Sequence, residues 1–400
     1  MQMHLGTPCI PIVAVGETVS VGQKIGMPAD ENSVPIHSSV SGVVRALTDT
    51  VSVSGKHIPV IEIQTDGAQR LYSGCKPPVT ETLDQFVQAV RESGCVGLGG
   101  SGFPTFRKLG TPHPIQMLVV NGAECEPYLT GDTRQMIECS GDLLGGIRLV
   151  MRFLKIGACR IGIEKSHPAA LKQLAYASAS DDRISVCPLP SSYPQGAERV
   201  LIYHTCGKIV PEGKIPAEIG VLVLNISTLI FLYQYCRTGI PLIERVVTVD
   251  GNAVKRPCNL RVPVGTPQHD LLVCAECEFD KVKQLSAGGP MMGVSLYSDE
   301  QPVLKQQNGL LALTKAVRSE PSACIRCGRC MNACPMNLMP MELSKAFQRK
   351  DPERLRALHV QLCMNCGCCT YVCPAKQPLA EQNQLAKQLV SESEKKEATS

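Results

Sequence analysis

Cys324-Ile-Arg-Cys327-Gly-Arg-Cys330-Met-Asn-Ala-Cys334-Pro335 returns further along the chain as Cys363-Met-Asn-Cys366-Gly-Cys-Cys369-Thr-Tyr-Val-Cys373-Pro374. Both runs have the spacing C-x2-C-x2-C-x3-C-P. It lets three thiolates from one tight loop reach three corners of an iron-sulfur cubane while the fourth points away. Where two such runs share a domain, the fourth Cys of each ligates the other cluster. Cys324, Cys327, Cys330 and Cys373 are therefore assigned to one [4Fe-4S] cluster, and Cys363, Cys366, Cys369 and Cys334 to a second. The proline after each run stops the local helix and turns the chain toward its partner loop. A structural zinc module fits worse, because zinc sites use separated ligand pairs around one tetrahedral ion. Radical chemistry at an open iron needs the spacing C-x3-C-x2-C, which neither run provides. The clusters are thus expected to be fully ligated and to relay electrons. Cys368 falls outside the spacing and reads as a packed thiol.

The totals bound the rest. A chain of 400 residues exceeds what one core organises, so roughly two to four domains are expected. Most of the 21 Cys lie outside the two runs, singly and in apolar surroundings, as do Cys159, Cys187 and Cys236. A secreted disulfide framework is short and regularly spaced, so this usage suits a reducing cytoplasm. Met1-Gln-Met-His-Leu-Gly has neither a basic start nor an apolar core, and no signal peptide is visible. The formal charge is only +4, and the absence of Trp leaves no base-stacking platform, which argues against nucleic acid as a partner. Residues 219 to 236 are apolar enough to suggest a membrane span, but Asn225, Ser227, Thr228 and Gln234 interrupt them. A buried strand running into a buried helix is expected there instead.

Residues 1 to 66 read as short strands and turns. Val15-Gly16-Glu17-Thr18-Val19-Ser20-Val21-Gly22-Gln23-Lys24-Ile25-Gly26 alternates apolar and polar residues, with glycines where the chain must turn. Residues 35 to 44 supply a second strand pair. The pattern resembles a barrel-sandwich hybrid, the fold of lipoyl and biotinyl carriers. Those display a Lys at the hairpin tip, where this chain has Ile36-His37-Ser38-Ser39. A packing or interaction module is therefore expected rather than a swinging arm, with His37 a satisfied structural residue.

From about 67 to 237, strand and helix patterns alternate. Residues 82 to 93 have helical periodicity through Leu83, Phe86, Val87 and Val90. They lead into Gly97-Leu98-Gly99-Gly100-Ser101-Gly102-Phe103-Pro104-Thr105-Phe106-Arg107-Lys108. Glycines at 97, 99, 100 and 102 free backbone N–H groups to approach an anion, and Lys108 adds a positive charge. The Gly-Lys-Ser/Thr ending of a Walker loop is absent. Two later strands end in Asn121 and Asn225. Ligands of open α/β sheets sit beyond the carboxyl ends of strands, so the two amides could face one ring system; Asn is also an ordinary turn residue. Asn121-Gly122-Ala123-Glu124-Cys125-Glu126-Pro127-Tyr128, with Asp132 following, sets carboxylates beside the Gly-rich loop. Carboxylates are poor phosphate ligands, so these read as partners of ribityl or ribose hydroxyls, or as walls of a hydride-transfer pocket. A helix over 143 to 154 and a strand over 160 to 164 come next. Tyr193-Pro194-Gln195-Gly196-Ala197-Glu198 then heads a helix.

Taken together, Gly99-Gly100-Ser101-Gly102-Phe103-Pro104 with Lys108, residues 121 to 127, 193 to 198, and 225 to 228 resemble the flavin-binding domain of the NADH-oxidising 51 kDa subunit of respiratory complex I. More closely they resemble the RnfC family, components of the Rnf (Rsx) electron-transport complexes. The resemblance implies a multidomain α+β chain: a barrel-sandwich hybrid (1–66), a complex I 51 kDa-like α/β flavin domain (67–237), a β-grasp, SLBB-like segment (238–293), a bacterial two-[4Fe-4S] ferredoxin domain (294–380) and a polar tail (381–400). The tail from Gln382 is polar and charged and is expected to be a fraying helix. Arg245-Val-Val-Thr-Val249-Asp250-Gly251 begins the β-grasp part with a hairpin expected to turn at Asp-Gly. Gly288-Gly289-Pro290-Met291-Met292-Gly293 also matches the family. Between the cysteine runs, residues 341 to 350 and 353 to 360 read as helices, Asp351 being an N-cap and Pro352 the first helical residue. Three departures bear on the site: Ala123 replaces the Asp and Cys125 the Gly of complex I, Ser227 replaces a smaller residue, and the chain starts inside the first domain as the family has it. Cys274-Ala-Glu-Cys277 reads as incidental.

What the resemblance implies is noncovalent FMN on residues 97 to 108, near Asn121, Glu124, Asp132, Gly196, Glu198, Asn225 and Thr228. NAD(H) would stack on its exposed face, with Glu124 and Glu126 lining the catalytic pocket. Nicotinamide exchanges two electrons at once and a cubane one, so a flavin belongs between them. The chain is then expected to be the peripheral, cytoplasmic-side component of a membrane ion-translocating complex that exchanges electrons between ferredoxin and NAD. Two other readings stand beside it: a soluble cobalamin or flavin reductase of the same family, whose carrier-like domain however follows the ferredoxin, and an electron-relay scaffold without nucleotide oxidation.

Overall fold

The computed structural model describes residues 1–51, 57–316 and 320–399. Its middle is a four-stranded parallel sheet with the spatial order Val221–Asn225, Met117–Asn121, Ala158–Glu164, Ile184–Leu189. Val221–Asn225 and Met117–Asn121 are nearly continuous apolar runs because both faces are covered. Leu118 and Val120 enter one core with Ile147, Val150 and Leu229, while Val119 enters another with Leu201 and Ile202. From Met117–Asn121 the chain builds outward through two strands on one side, then returns to place Val221–Asn225 on the other. Such a reversal opens a crevice beyond the carboxyl ends of Val221–Asn225 and Met117–Asn121, where open α/β sheets take their ligands. Asn121 and Asn225 are register partners at that edge.

Local sequence explains the helices around the sheet. Thr82 and Gln85 form a reciprocal capping box at the start of Leu83–Glu92. The expected span at 219 to 236 is indeed strand then helix: Asn225 ends the strand and caps Ile226–Thr238, its side chain accepting from the Ser227 amide at 2.8 Å. This helix packs on Ser140–Leu154 so closely that a Cβ on Gly146 would lie 2.1 Å from the Leu229 carbonyl oxygen. Among the described residues no helix is long and apolar enough to cross a membrane.

The N-terminal residues form two three-stranded sheets around Val19, Ile25, Ile36 and Val44. Their hairpin tip is docked. Ser39 donates to the Val264 carbonyl at 2.6 Å, and the buried Lys305 donates to the carbonyls of Pro35 and Gly94, both at 2.8 Å. His37 sits at this junction, but its Nδ1 is enclosed without a partner among the described residues, so it is structural without being satisfied. Burial and the ammonium groups of Lys305 and Lys24 push it down to about 3, which keeps the ring neutral.

The β-grasp part runs past its expected end at 293. Glu244–Asp250, Cys258–Pro263, Gln284–Ala287, Val294–Leu296 and Gly309–Leu313 make one five-stranded sheet, in which Gly309–Leu313 lies parallel to Glu244–Asp250. Pairing between residues 248 and 309 closes a distant loop and leaves no local signal. Nor is the first hairpin a tight Asp-Gly turn: Val249 pairs with Cys258, and the intervening loop folds over Ala253 and Val254, which are buried.

The C-terminal domain carries a repeat in its backbone. Arg326 and Asn365, two residues after the first Cys of each run, both have left-handed φ (55° and 53°), and so do Gly328 and Gly367 (75° and 80°). These turns wrap each loop back upon itself before the short helices Arg329–Asn332 and Cys368–Tyr371. Helices Pro340–Gln348 and Pro352–Ala357 follow the first run, Asp351 capping the second of them through the Arg354 amide at 2.9 Å. The expected polar tail is helix Leu379–Thr399, whose Ala386 and Val390 are buried against Leu343 and Leu355.

Candidate functional site

A cavity of about 1140 Å³ opens beyond Asn121 and Asn225, bounded also by the barrel, the β-grasp sheet and the second cysteine loop. Gly99, Gly100 and Ser101 form part of its wall. The loop is shaped from within: the Gly102 amide donates to the Gly97 carbonyl, the Gly97 amide to Phe103, and the Leu98 amide to Thr228 Oγ1 at 3.1 Å. The amides of Gly99, Gly100 and Ser101 have no acceptor among the described residues. Gly100 has φ +99°, and a Cβ on Gly99 would lie 2.8 Å from Asn225 Nδ2. Three free N–H groups on a cavity wall are a cradle for an anionic or carbonyl-bearing ligand. Gly97, Gly102 and Thr228 thus shape the loop from behind rather than line the cavity.

Lys108 departs from its expected place. Its ammonium donates to Glu198 Oε1 at 2.7 Å and to the Val223 carbonyl at 3.2 Å, so it orients Glu198, which does line the cavity. The cation beneath the Gly-rich loop is Arg245, fully buried, donating to the carbonyls of Leu98 at 2.7 Å and Gln307 at 3.2 Å. Its sequence signal was parity: Arg245 alternates in phase with the buried Val247 and Val249.

The carboxylates are organisers. Glu124 accepts the amides of Asp132 (2.9 Å) and Thr133 (2.8 Å) at the start of helix Gly131–Glu138. Burial, with the Asp132 carboxylate beside it, pushes Glu124 up to about 7. Asp132, also raised by burial, accepts from Asn225 Nδ2 at 2.6 Å and Ser227 Oγ at 2.7 Å. Ser227, a departure from the family pattern, therefore completes this network. Glu126 accepts the amides of Met291 (3.1 Å) and Met292 (2.8 Å), tying the acidic loop to the Gly-rich turn of the β-grasp part. Glu124 and Glu126 both line the cavity, but each already holds two backbone amides. Asn121 donates to the Gly196 carbonyl at 2.9 Å, and the Gly196 amide donates to Cys125 Sγ at 3.3 Å. A Cβ on Gly196 would approach the Ala123 carbonyl to 2.7 Å, so only glycine fits.

One joint was not anticipated. Tyr193 donates its hydroxyl to the Cys366 carbonyl at 2.7 Å, and Tyr193, Met364 and Cys366 all line the cavity. Gly367 is pressed against the Met291 carbonyl, which a Cβ there would meet at 2.8 Å. The cysteine loop is thereby gripped from two sides. The packed Cys368 is buried beside Tyr193.

The cysteines of the second set come together: Cys334, Cys363, Cys366 and Cys369 border one small cavity, with Cys368 beside them, although Cys334 belongs to the other run. Cys330 has Cys373 as an electrostatic neighbour, again across runs. Cys324 and Cys327 are exposed, whereas Cys369 is buried. Three thiols of one left-handed loop with a fourth from the other run fit a [4Fe-4S] cluster. The cradle of free amides and paired Asn fits a flavin.

Comparison with known proteins matches three parts of the chain. The RnfC barrel sandwich hybrid domain matches residues 1–68, the Nuo51 FMN-binding domain residues 90–234 and the 4Fe-4S dicluster domain residues 323–377. The RnfC-type component of the Na(+)-translocating ferredoxin:NAD(+) oxidoreductase complex of Acetobacterium woodii is 38% identical over 87% of this chain and 80% of its own length. Its counterpart in the proton-translocating complex of Clostridium ljungdahlii is 37% identical over 87% and 78%. That of the ion-translocating oxidoreductase complex of Rhodobacter capsulatus is 36% identical over 98% and 77%. In fold alone, the chain is similar to a NAD+-reducing [NiFe]-hydrogenase in its air-oxidised state, with a TM-score of 0.55 and 19% identity over 77% of this chain and 62% of the other. Domain content, order and the extent of these matches lead to one assignment: the chain belongs to the RnfC family of the ion-translocating ferredoxin:NAD+ oxidoreductase complexes.

Proposed function

We propose that this chain is the NAD(H)-reacting flavin and iron-sulfur component of a membrane ion-translocating ferredoxin:NAD oxidoreductase, held peripherally at the cytoplasmic face by its partner proteins. Bound FMN supplies the exchange between the two-electron chemistry of nicotinamide and the one-electron chemistry of [4Fe-4S] clusters. The free amides of Gly99, Gly100 and Ser101 hold the anionic or carbonyl edge of the cofactor, with Asn121 and Glu198 beside them. Arg245 fixes the loop from below and adds positive charge. Glu124, Asp132, Asn225 and Ser227 lock the sheet edge to a helix start, which keeps the floor of the site rigid. Glu126 and Tyr193 set the distance between this floor and the second cysteine loop.

The observation that carries the reading is shared lining: Gly99, Asn121 and Cys366 border the same cavity. The cluster of Cys334, Cys363, Cys366 and Cys369 is then the one next to the flavin. The cluster of Cys324, Cys327, Cys330 and Cys373 is the outer one, with its exposed ligands facing a partner protein. Anaerobic reconstitution with FMN, iron and sulfide tests this directly. About one flavin and about eight irons per chain are expected; a chain that retains its iron but takes up no flavin refutes the reading of the cavity.

A further inference from the structure

The helix Leu379–Thr399 presents one enclosed face. Ala380, Asn383 and Lys387 are three and four residues apart and so share a side. All three meet the second cysteine set. Ala380 and Asn383 border the cavity surrounded by Cys334, Cys363, Cys366 and Cys369. The Ala380 amide donates to Thr370 Oγ1 at 2.9 Å, and Lys387 Nζ donates to the Cys363 carbonyl at 2.8 Å.

Asn383 is the member without a local reason. It is 1% exposed, and its side-chain oxygen is enclosed with no donor among the described residues. Its amide nitrogen has no acceptor among them either. A buried polar group left unpaired is destabilising, and a Leu here would avoid that. Its place on the cavity wall gives the side-chain N–H, though not the oxygen, a partner of the right kind, since thiolate and sulfide sulfurs accept hydrogen bonds. The internal repeat sharpens the point. The position equivalent to Asn383 after the first run is Ser344, whose hydroxyl is already committed to Gln382 Oε1. At this place in the repeat, the second cysteine set is offered a free N–H and the first is not.

We propose that Asn383 donates its amide N–H to the cluster held by Cys334, Cys363, Cys366 and Cys369, and that together with the Lys387 ammonium it raises the reduction potential of that cluster. The inference rests on that ligand assignment. One-electron reduction adds one negative charge between these residues and makes or breaks no bond, so a donor and a cation there favour the reduced form. Because Cys366 borders the large cavity, the effect falls on the centre nearest the flavin site. Asn383 and Lys387 are positioning and tuning residues, outside the ligand set.

Redox potentiometry followed by EPR, on the whole chain with both clusters loaded, tests this. Cys334→Ser identifies which signal belongs to the second cluster. In Asn383→Leu that signal's midpoint should fall by about 59 mV, a tenfold change in its oxidised-to-reduced ratio at fixed potential, with the first cluster unmoved. Lys387→Met should shift it the same way, and Gln384→Leu on the outer face of the helix should shift neither. If Asn383→Leu loses the second signal, Lys387→Met, which leaves the cavity wall intact, carries the same expectation and the same refutation. Unchanged midpoints in chains that keep about eight irons overturn the proposal. A native chain with only one cluster signal overturns the ligand assignment itself.

Discussion

The hydroxyl of Tyr193 donates to the backbone carbonyl of Cys366 at 2.7 Å, joining the α/β domain to the loop that carries three of the second cluster's ligands. This bond spans 173 residues of sequence and sits on the wall of the large cavity. Replacing it by Tyr193→Phe leaves the ring in place and a buried carbonyl unpaired, at a cost of about 1 kcal/mol. We expect flavin content to stay native, and electron delivery from flavin to the second cluster to slow several-fold in rapid-mixing absorbance. Unaltered transfer would mean that the packing around Gly367 alone holds the joint.

Cross-run ligation makes a sharper forecast. Cys334 lies in the first run but borders the second cavity, so Cys334→Ser should remove the second cluster and spare the first. Cys373→Ser should do the reverse. Iron analysis with EPR reads the outcome as loss of about four irons and of one defined signal in each variant. Loss of the same signal from Cys334→Ser and from Cys324→Ser would refute the assignment.

The cysteine runs were legible because most of the ligand spacing is local: three of the four residues assigned to each cubane lie within one short run, and the left-handed turns at Arg326 and Asn365 sit within those runs. Helix Leu83–Glu92 was legible for the same reason, through the spacing of Leu83, Phe86, Val87 and Val90. The sheet edge came through in Asn121 and Asn225, although only the strand order shows that they are neighbours. What stayed hidden was non-local. Lys108 was read as a ligand because its distance from the glycines is right, but its partner is Glu198, 90 residues on. The pairing of Gly309–Leu313 with Glu244–Asp250 cannot be inferred from either segment. Helix Leu379–Thr399 was legible as a helix from Gln382, but its packing was not, because its inner face is narrow and partly polar, with Asn383 among its buried residues.

The displaced lysine gives a comparative test. Arg245 is buried and bonded to the Gly-rich loop, whereas Lys108 reaches the cavity only through Glu198. Arg245→Met should weaken FMN binding by about tenfold or more, the worth of one charge-assisted hydrogen bond. Lys108→Met should weaken it less. Fluorescence quenching of titrated FMN measures both. A larger loss from Lys108→Met would restore that lysine as the direct ligand.

Glu124 carries a pH dependence. A glutamate in the unfolded chain titrates near about 4.3, whereas burial and Asp132 place Glu124 at about 7. Its contribution to stability is therefore whole below the unfolded value and is lost as pH climbs through about 7. Glu124→Gln lacks this titration. The unfolding free energy of the variant relative to the native chain, from denaturant melts at each pH, should thus rise between pH 5 and 8, with a slope no steeper than about 1.4 kcal/mol per pH unit. A difference that does not vary with pH would show an ordinary, ionised carboxylate at this position.

Anaerobic titration of the fully loaded chain with NADH, followed together by optical absorbance and EPR, puts the whole account at risk in one experiment. The flavin band should bleach and two distinct reduced-cluster signals should grow in, the one abolished by Cys334→Ser among them. Flavin and clusters that stay oxidised with NADH in excess, yet are reduced by dithionite, would contradict it.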